Sequence, residues 1–159
     1  DNSGGVTSVV RKVQPQCYLT SNCSVEMISN ELYEEFLLPE DQRLSDAFGN
    51  FGVHHCGGTM EHVADGYAKL RGLTFAEVGA GSDLEAVREK LPGIRLNARF
   101  SPVELTNASE DEIRSQVQSL VRSGKGEAGL LSVSCVGIDA DVPDEQVEYF
   151  LKACRECPV

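Results

Sequence analysis

The feature that most limits what this chain can fold into is a regular change of hydrophobic period. Four short apolar runs, Phe51 to Cys56, Leu73 to Val78, Ile94 to Phe100 and Gly129 to Val136, alternate with segments whose apolar residues recur at helical spacing. Side chains alternate faces along a strand with period two, whereas recurrence at three and four residues marks one face of a helix. The intervening faces are Met60, Val63, Ala64 and Tyr67; Leu84, Val87 and Leu91; Ile113, Val117, Leu120 and Val121; and Val147, Phe150, Leu151 and Cys154. Thr59 and Ser82 are predicted N-caps, Ser109-Glu110-Asp111-Glu112 is a capping box, and Pro143 falls in the first turn of the last helix. Alternation of this kind gives an α/β fold with a parallel sheet and helices outside it. The fourth run is apolar almost throughout, as expected of a strand covered on both faces. An open doubly wound sheet and part of an eight-fold barrel both satisfy the pattern. No Gly-x-Gly-x-x-Gly follows a strand, so a dinucleotide fold receives no support.

Ahead of the first run, Ser24 to Leu38 has a helical face of Ile28, Leu32, Phe36 and Leu37, with Ser29 placed to cap it. Pro39 is expected to interrupt this helix, which resumes over Glu40 to Phe48 and ends at Gly49. Residues 1–24 read as a long loop punctuated by Gly4-Gly5, Pro15 and Asn22, in which Cys17-Tyr18-Leu19 is either a strand or a packed loop. The whole is one domain of 159 residues, a helix followed by four strand–helix units, long enough for a real core.

Charge narrows the partners. The formal net charge of −11 disfavours nucleic acid, which needs clustered Lys and Arg to neutralise phosphates. No apolar run approaches the roughly 18 residues of a membrane span. The six cysteines, at 17, 23, 56, 135, 154 and 157, are irregularly spaced and do not suggest a disulfide scaffold. With no charged-then-apolar leader at the N-terminus, the expectation is a reducing cytoplasm and free thiols.

In either architecture, sites form at the C-terminal ends of parallel strands. His54 and Cys56 share one face at the end of the first run, Glu77 ends the second, Arg99 and Ser101 the third, and Cys135 the fourth. A thiolate and an imidazole on one face are half of a zinc site, and His-Cys-Cys is a known ligand set, so His54, Cys56 and Cys135 form a candidate metal trio. His55 points the other way and reads as a packed histidine, and His62 as a surface residue of a helix. Cys154-Arg155-Glu156-Cys157 closes a helix, where a redox Cys-x-x-Cys would open one.

Several stretches together carry a resemblance. They are Ile28-Ser29-x-x-Leu32-Tyr33-x-x-Phe36-x-x-Pro39, His54-His55-Cys56-Gly57, Arg99-Phe100-Ser101-Pro102 with the Asp111-Glu112-Ile113 helix, and Leu131-Ser132-Val133-Ser134-Cys135 before Val142-Pro143-x-Glu145. The chain resembles the C-terminal half of the uroporphyrinogen decarboxylase superfamily, and more closely its zinc-dependent corrinoid methyltransferase branch. The decarboxylases proper carry His-Gly near Cys135 and Gly-Asn before an Asp-Pro near Ser101; here those places read Ser134-Cys135 and Ala98-Arg99-Phe100-Ser101-Pro102. The resemblance implies the C-terminal half of a TIM-type barrel and Zn2+ on His54, Cys56 and Cys135. It implies methyl transfer between a corrinoid, presented by a partner protein, and a small thiol acceptor or methylated donor. Glu77 is then expected as a resting ligand or proton acceptor, and Arg99 as the holder of an acidic group on the substrate. A full barrel of this type has eight strands and about 250 residues. Half a barrel exposes sheet edges, so the expectation is a piece of a longer protein, or pairing with the N-terminal half or with a second copy.

Overall fold

A computed structural model of the chain describes residues 17–55, 57–124 and 130–157. Five parallel strands lie in sequence order: β1 (Tyr18–Ser21), β2 (Phe51–His54), β3 (Leu73–Val78), β4 (Arg95–Phe100) and β5 (Leu131–Cys135). Parallel neighbours need a crossover, and helices supply each one. Between β1 and β2 a 3₁₀ turn, Cys23–Met27, leads into α1, built of the consecutive pieces Asn30–Leu32, Tyr33–Leu37 and Leu38–Phe48. A 3₁₀ turn, Glu61–Val63, and α2 (Ala64–Ala68) follow β2; α3 (Leu84–Lys90) follows β3. The short α4 (Pro102–Asn107) and the longer α5 (Glu110–Ser123) follow β4, and α6 (Asp144–Glu156) follows β5. The fold is thus α/β, made of (βα) units of a TIM-type barrel. Among the described residues no helix is long and apolar enough to cross a membrane.

Four sequence expectations change, the first being that Thr59 caps no helix: Met60 stands at the N-cap of the turn after β2, with no side-chain cap bond. The stretch read as a loop over residues 1–24 contains β1, which pairs with β2 from Tyr18 opposite Phe51 to Ser21 opposite His54, so the sheet has five strands rather than four. Pro39 does not interrupt the preceding helix. The residues before it form a π-helical turn over Tyr33–Leu37, in which the Leu38 N–H donates to the Tyr33 carbonyl. The wider turn shifts the hydrogen-bond register just ahead of a residue that has no N–H to give. Finally, Asp83 rather than Ser82 caps α3, accepting from the Ala86 N–H, while Ser82 Oγ accepts from the Met60 N–H. The capping box at Ser109 and Glu112 forms as the sequence predicts.

Cross-strand pairing sorts the side chains into rows. One row runs Thr20, Val53, Ala76, Leu96, Leu131 and is apolar but for its first member. It faces the helices, where Val53, Ala76 and Leu96 bury fully against a cluster that includes Tyr33, Val63, Tyr67 and Val87. Burying a side chain of Val or Leu size stabilises by about 1.5–3 kcal/mol, so this layer dominates the fold. A second cluster, Phe100, Leu105, Ile113, Val117, Phe150 and Ala153, joins the end of β4 to α4, α5 and α6. The row next to the apolar one, on the opposite face, is Ser21, His54, Glu77, Asn97, Ser132. It is polar on every strand.

One glycine is demanded by close approach. A Cβ on Gly79, just past β3, would stand 1.7 Å from the Gly57 carbonyl oxygen, so the backbones after β2 and β3 touch with no room for a methyl group. Gly79→Ala is expected to destabilise by about 2 kcal/mol, the usual scale of overpacking, because backbone must move. A urea melt showing a loss under about 0.5 kcal/mol would mean that this contact is soft.

Candidate metal centre

The polar row puts titratable groups where parallel-sheet sites form, at the C-terminal strand ends. His54 is the last residue of β2, and Glu77 stands directly opposite it on β3. His54 Nδ1 lies 2.7 Å from Glu77 Oε2, and the carboxylate is fully buried. A carboxylate only accepts, so Nδ1 carries the proton and Nε2 keeps its lone pair whenever the ring is neutral. The Glu77 hydrogen bond is the main influence holding the His54 pKa above the ordinary histidine range, against the opposing effect of burial; Cys23 adds to the rise.

The second carboxylate oxygen, Glu77 Oε1, accepts no hydrogen bond among the described residues and faces Arg99 Nε at 3.5 Å. Arg99 lies two residues beyond Asn97 on β4, on the same face of the sheet, and its side chain is 15% exposed. His54, Glu77 and Arg99 therefore form one buried charge chain across three strands. Next to it, Asn97 Oδ1 accepts from Ser132 Oγ at 2.9 Å, and Asn97 Nδ2 donates to Ser134 Oγ at 2.8 Å. These bonds satisfy the polar row toward β5.

Of the predicted metal trio, Cys56 lies outside the described residues. Cys135 ends β5 as expected, but it pairs with Phe100 and packs half-buried against the second apolar cluster. That face is turned to the helices, opposite the one bearing His54. Burial pushes the Cys135 thiol up in pKa and Arg99 draws it down. Among the described residues, no three His, Cys, Asp or Glu side chains converge as a ligand group. The structure thus brings His54, Glu77 and Arg99 together and leaves Cys135 on the neighbouring face.

A model of the uroporphyrinogen decarboxylase (URO-D) family matches residues 8–157. The chain belongs to this family. No curated protein matches it. In this URO-D domain the test of a metal at His54 is the chemistry of the donors. A metal-binding histidine almost always donates its other ring N–H to a carboxylate or carbonyl, which fixes the tautomer and raises ligand basicity. The His54–Glu77 pair meets that requirement, and the fit of His54 to a zinc ion rests on it. Tetrahedral zinc takes imidazole and thiolate together, and Cys56 and Cys135 are the thiols the sequence offers for the remaining positions.

Sequence reasoning missed what lies behind the strand ends. Asn22 Nδ2 donates to Asp41 Oδ2 at 2.7 Å, and the Tyr33 hydroxyl donates to the same oxygen at 2.9 Å. Tyr67 and His55 are fully buried nearby, with Tyr67 Oη 3.2 Å from His55 Nδ1. The reading of His55 as a packed histidine agrees with this. A signal was present: Tyr33 and Tyr67 occupy core-facing helical positions, and a buried tyrosine hydroxyl needs a partner. Alongside, a cavity of about 490 Å³ opens at the end of β1, lined by Asn22, Cys23, Val25, Met27, Ile28 and Leu37 among others.

Proposed function

We propose that this URO-D family chain carries the metal-binding part of a zinc-dependent methyltransferase, which moves a methyl group between a corrinoid cofactor and a small thiol or methylated donor. The observation that carries this reading is the buried Glu77–His54 pair, a histidine already held as a metal ligand requires. His54 would hold the ion with the thiols of Cys56 and Cys135, the latter only once its side chain at the end of β5 leaves the helix-facing cluster and turns toward the His54 face. A zinc ion there supplies the means to keep a substrate thiol as thiolate at neutral pH.

The chain's own residues do the rest. Glu77 keeps the His54 proton on Nδ1 and the Nε2 lone pair free for a ligand. Arg99 offsets the buried negative charge of Glu77 and lies at the mouth of the strands, where a guanidinium can grip a carboxylate or sulfonate on a small substrate. The cavity at the end of β1 lies beside Ser21, the cross-strand partner of His54, and would hold a small molecule between Asn22, Cys23 and the apolar side chains of Ile28 and Leu37. The corrinoid would arrive on a partner protein, and the remaining strands of the barrel would come from the N-terminal half or from a second copy.

The test is metal content with methyl transfer. Wild-type protein is expected to retain one zinc per chain after dialysis, and His54→Ala and Cys135→Ser are expected to lose it together with transfer to a thiol from methylcobalamin. Zinc-free, well-folded wild type would remove the metal from this reading, and full transfer by Cys135→Ser would remove that thiol. A second reading has one observation behind it. Because Cys135 packs against Phe100 on the helix side, the same residues also suit a family member that binds its ligand with the His54–Glu77–Arg99 chain and no metal.

A further inference from the structure

The surface beside the end of β1 carries apolar side chains that the fold leaves uncovered. Met27 is 79% exposed, Phe36 61%, Leu32 43% and Leu37 37%. They belong to the 3₁₀ turn after β1 and to the first half of α1. Leu32 and Phe36 stand one helical turn apart, and Met27 and Leu37 line the same cavity of about 490 Å³. Single exposed apolar residues are ordinary, but four around a recess mark a surface that meets another molecule. The recess is lined mainly by apolar side chains, as the seat of an interface anchor is. A different flank of α1 is already occupied by α2: Glu34 pairs with Lys69, and Asn30 Oδ1 accepts from the Gly66 N–H.

Charge then selects the kind of molecule. Acids outnumber bases over residues 23–48, where Arg43 is the one base. Glu34, Glu40 and Asp46 have cationic partners in Lys69, Arg43 and Arg71. Glu31 and Glu35 are exposed, flank Leu32 and Phe36 in sequence, and among the described residues form no ion pair. Like charges four residues apart on a helix repel, and a cation laid between them relieves the repulsion. A second copy of this chain brings the same acids and its own net charge of −11, and nucleic acid or an anionic membrane brings still more negative charge.

We infer that the face formed by Met27, Leu32, Phe36 and Leu37 docks a partner protein through a basic amphipathic helix, whose apolar side chains enter the recess and whose Lys and Arg meet Glu31 and Glu35. An apolar helix face laid on an apolar groove supplies the affinity, and the charged rim supplies orientation and rejects acidic competitors. Ser21, which also lines the recess, is the cross-strand partner of His54, so the docked helix lies beside the strand-end site. The inference goes beyond the zinc reading and does not depend on it.

The chain has no tryptophan, so the fluorescence of a Trp on a probe reports binding without background. The probe is a synthetic helical peptide of Leu and Lys with one Trp on its apolar face. Wild type in a chelating buffer is expected to bind it saturably, with a blue shift of the Trp emission. Phe36→Ala and Leu37→Ala are each expected to weaken binding about 10-fold, the scale for an interface anchor. Both side chains are exposed, so truncating them leaves the core intact. Glu31→Gln combined with Glu35→Gln is expected to weaken binding and to flatten its salt dependence. Val103→Ala, at an exposed apolar residue of α4 outside this face, is expected to bind as wild type does. Equal binding by Phe36→Ala and wild type would reduce the effect to the general attraction of an acidic chain for a cation, and overturns the inference. Equal binding of a peptide with Glu in place of Lys overturns the acidic rim. A wild-type dimer in sedimentation, or binding to phosphatidylserine vesicles, that Phe36→Glu abolishes would put a second copy or a membrane on this face, and overturns the basic partner. None of these outcomes bears on whether zinc binds at His54.

Discussion

Replacing Glu77 with alanine is expected to cost about 3–5 kcal/mol of stability, the range for removing one partner from a buried ion pair. Glu77 has no exposed surface, and its two oxygens face His54 at 2.7 Å and Arg99 at 3.5 Å. Alanine would leave a cavity and strand the His54 Nδ1 proton and the Arg99 charge without the carboxylate they face. Glutamine is the informative companion. Its carbonyl can still accept from His54, so Glu77→Gln should lose less, about 1–2 kcal/mol, while the charge that raises His54 basicity is gone. Urea melts of the two variants, alongside zinc titrations, separate the structural part from the ligand-tuning part. If Glu77→Ala melted within about 1 kcal/mol of wild type, the charge chain would not be an organising element of the site.

Arg88 should be nearly as sensitive. It is a buried arginine of α3, and among the described residues its guanidinium donates to backbone carbonyls alone: Gly124, Leu91, Pro92, Ile94 and Leu130. It therefore ties the end of its own helix, the entry to β4, the end of α5 and the entry to β5 to one another. Arg88→Met keeps the stem but removes the donor shared by these carbonyls, of which Leu91 and Leu130 keep one backbone N–H each, from Ile94 and Leu96, and an expected loss of about 3 kcal/mol follows. Arg88→Lys should recover little, because an ammonium has three hydrogens on one atom and cannot reproduce a planar fork of five. Thermal melts that place Arg88→Lys near wild type would show that charge, not geometry, holds the junction.

The sequence carried the fold's period and missed features that depend on distant pairing. Strands β3 and β4 and the helices α3 and α5 were legible because runs of clear pattern sat between caps and glycines, whereas the short α4, Pro102–Asn107, was not read. β1 was not, since Tyr18–Ser21 is four residues long and becomes a strand only through its pairing with β2. Pro39 misled for a related reason: the local rule that proline stops a helix is correct, but a π turn can absorb the missing bond. Strand-end position alone was enough to expect that His54, Glu77 and Arg99 lie side by side. For Cys135 the same rule gives the strand end but not the face of the side chain. Leu131, Val133 and Cys135 alternate with Ser132 and Ser134, and that phase already assigns the thiol to the apolar face. The buried pairs Asn22–Asp41 and Tyr67–His55 join four separate segments, and no local pattern encodes such meetings.

The polar row through Ser21, His54, Glu77, Asn97 and Ser132 has a consequence for how this chain can diverge. Adding or removing a single residue within a strand would carry its polar member into the helix-facing core and expose an apolar one in exchange. The register shift between β2 and β3, where Phe51 faces Leu73 but Gly52 faces Phe75, shows where one extra residue is absorbed: at the start of the strands, ahead of the row. One residue more or less is therefore tolerable in the connections and at the strand entries, and costly at the C-terminal strand ends where the polar row sits.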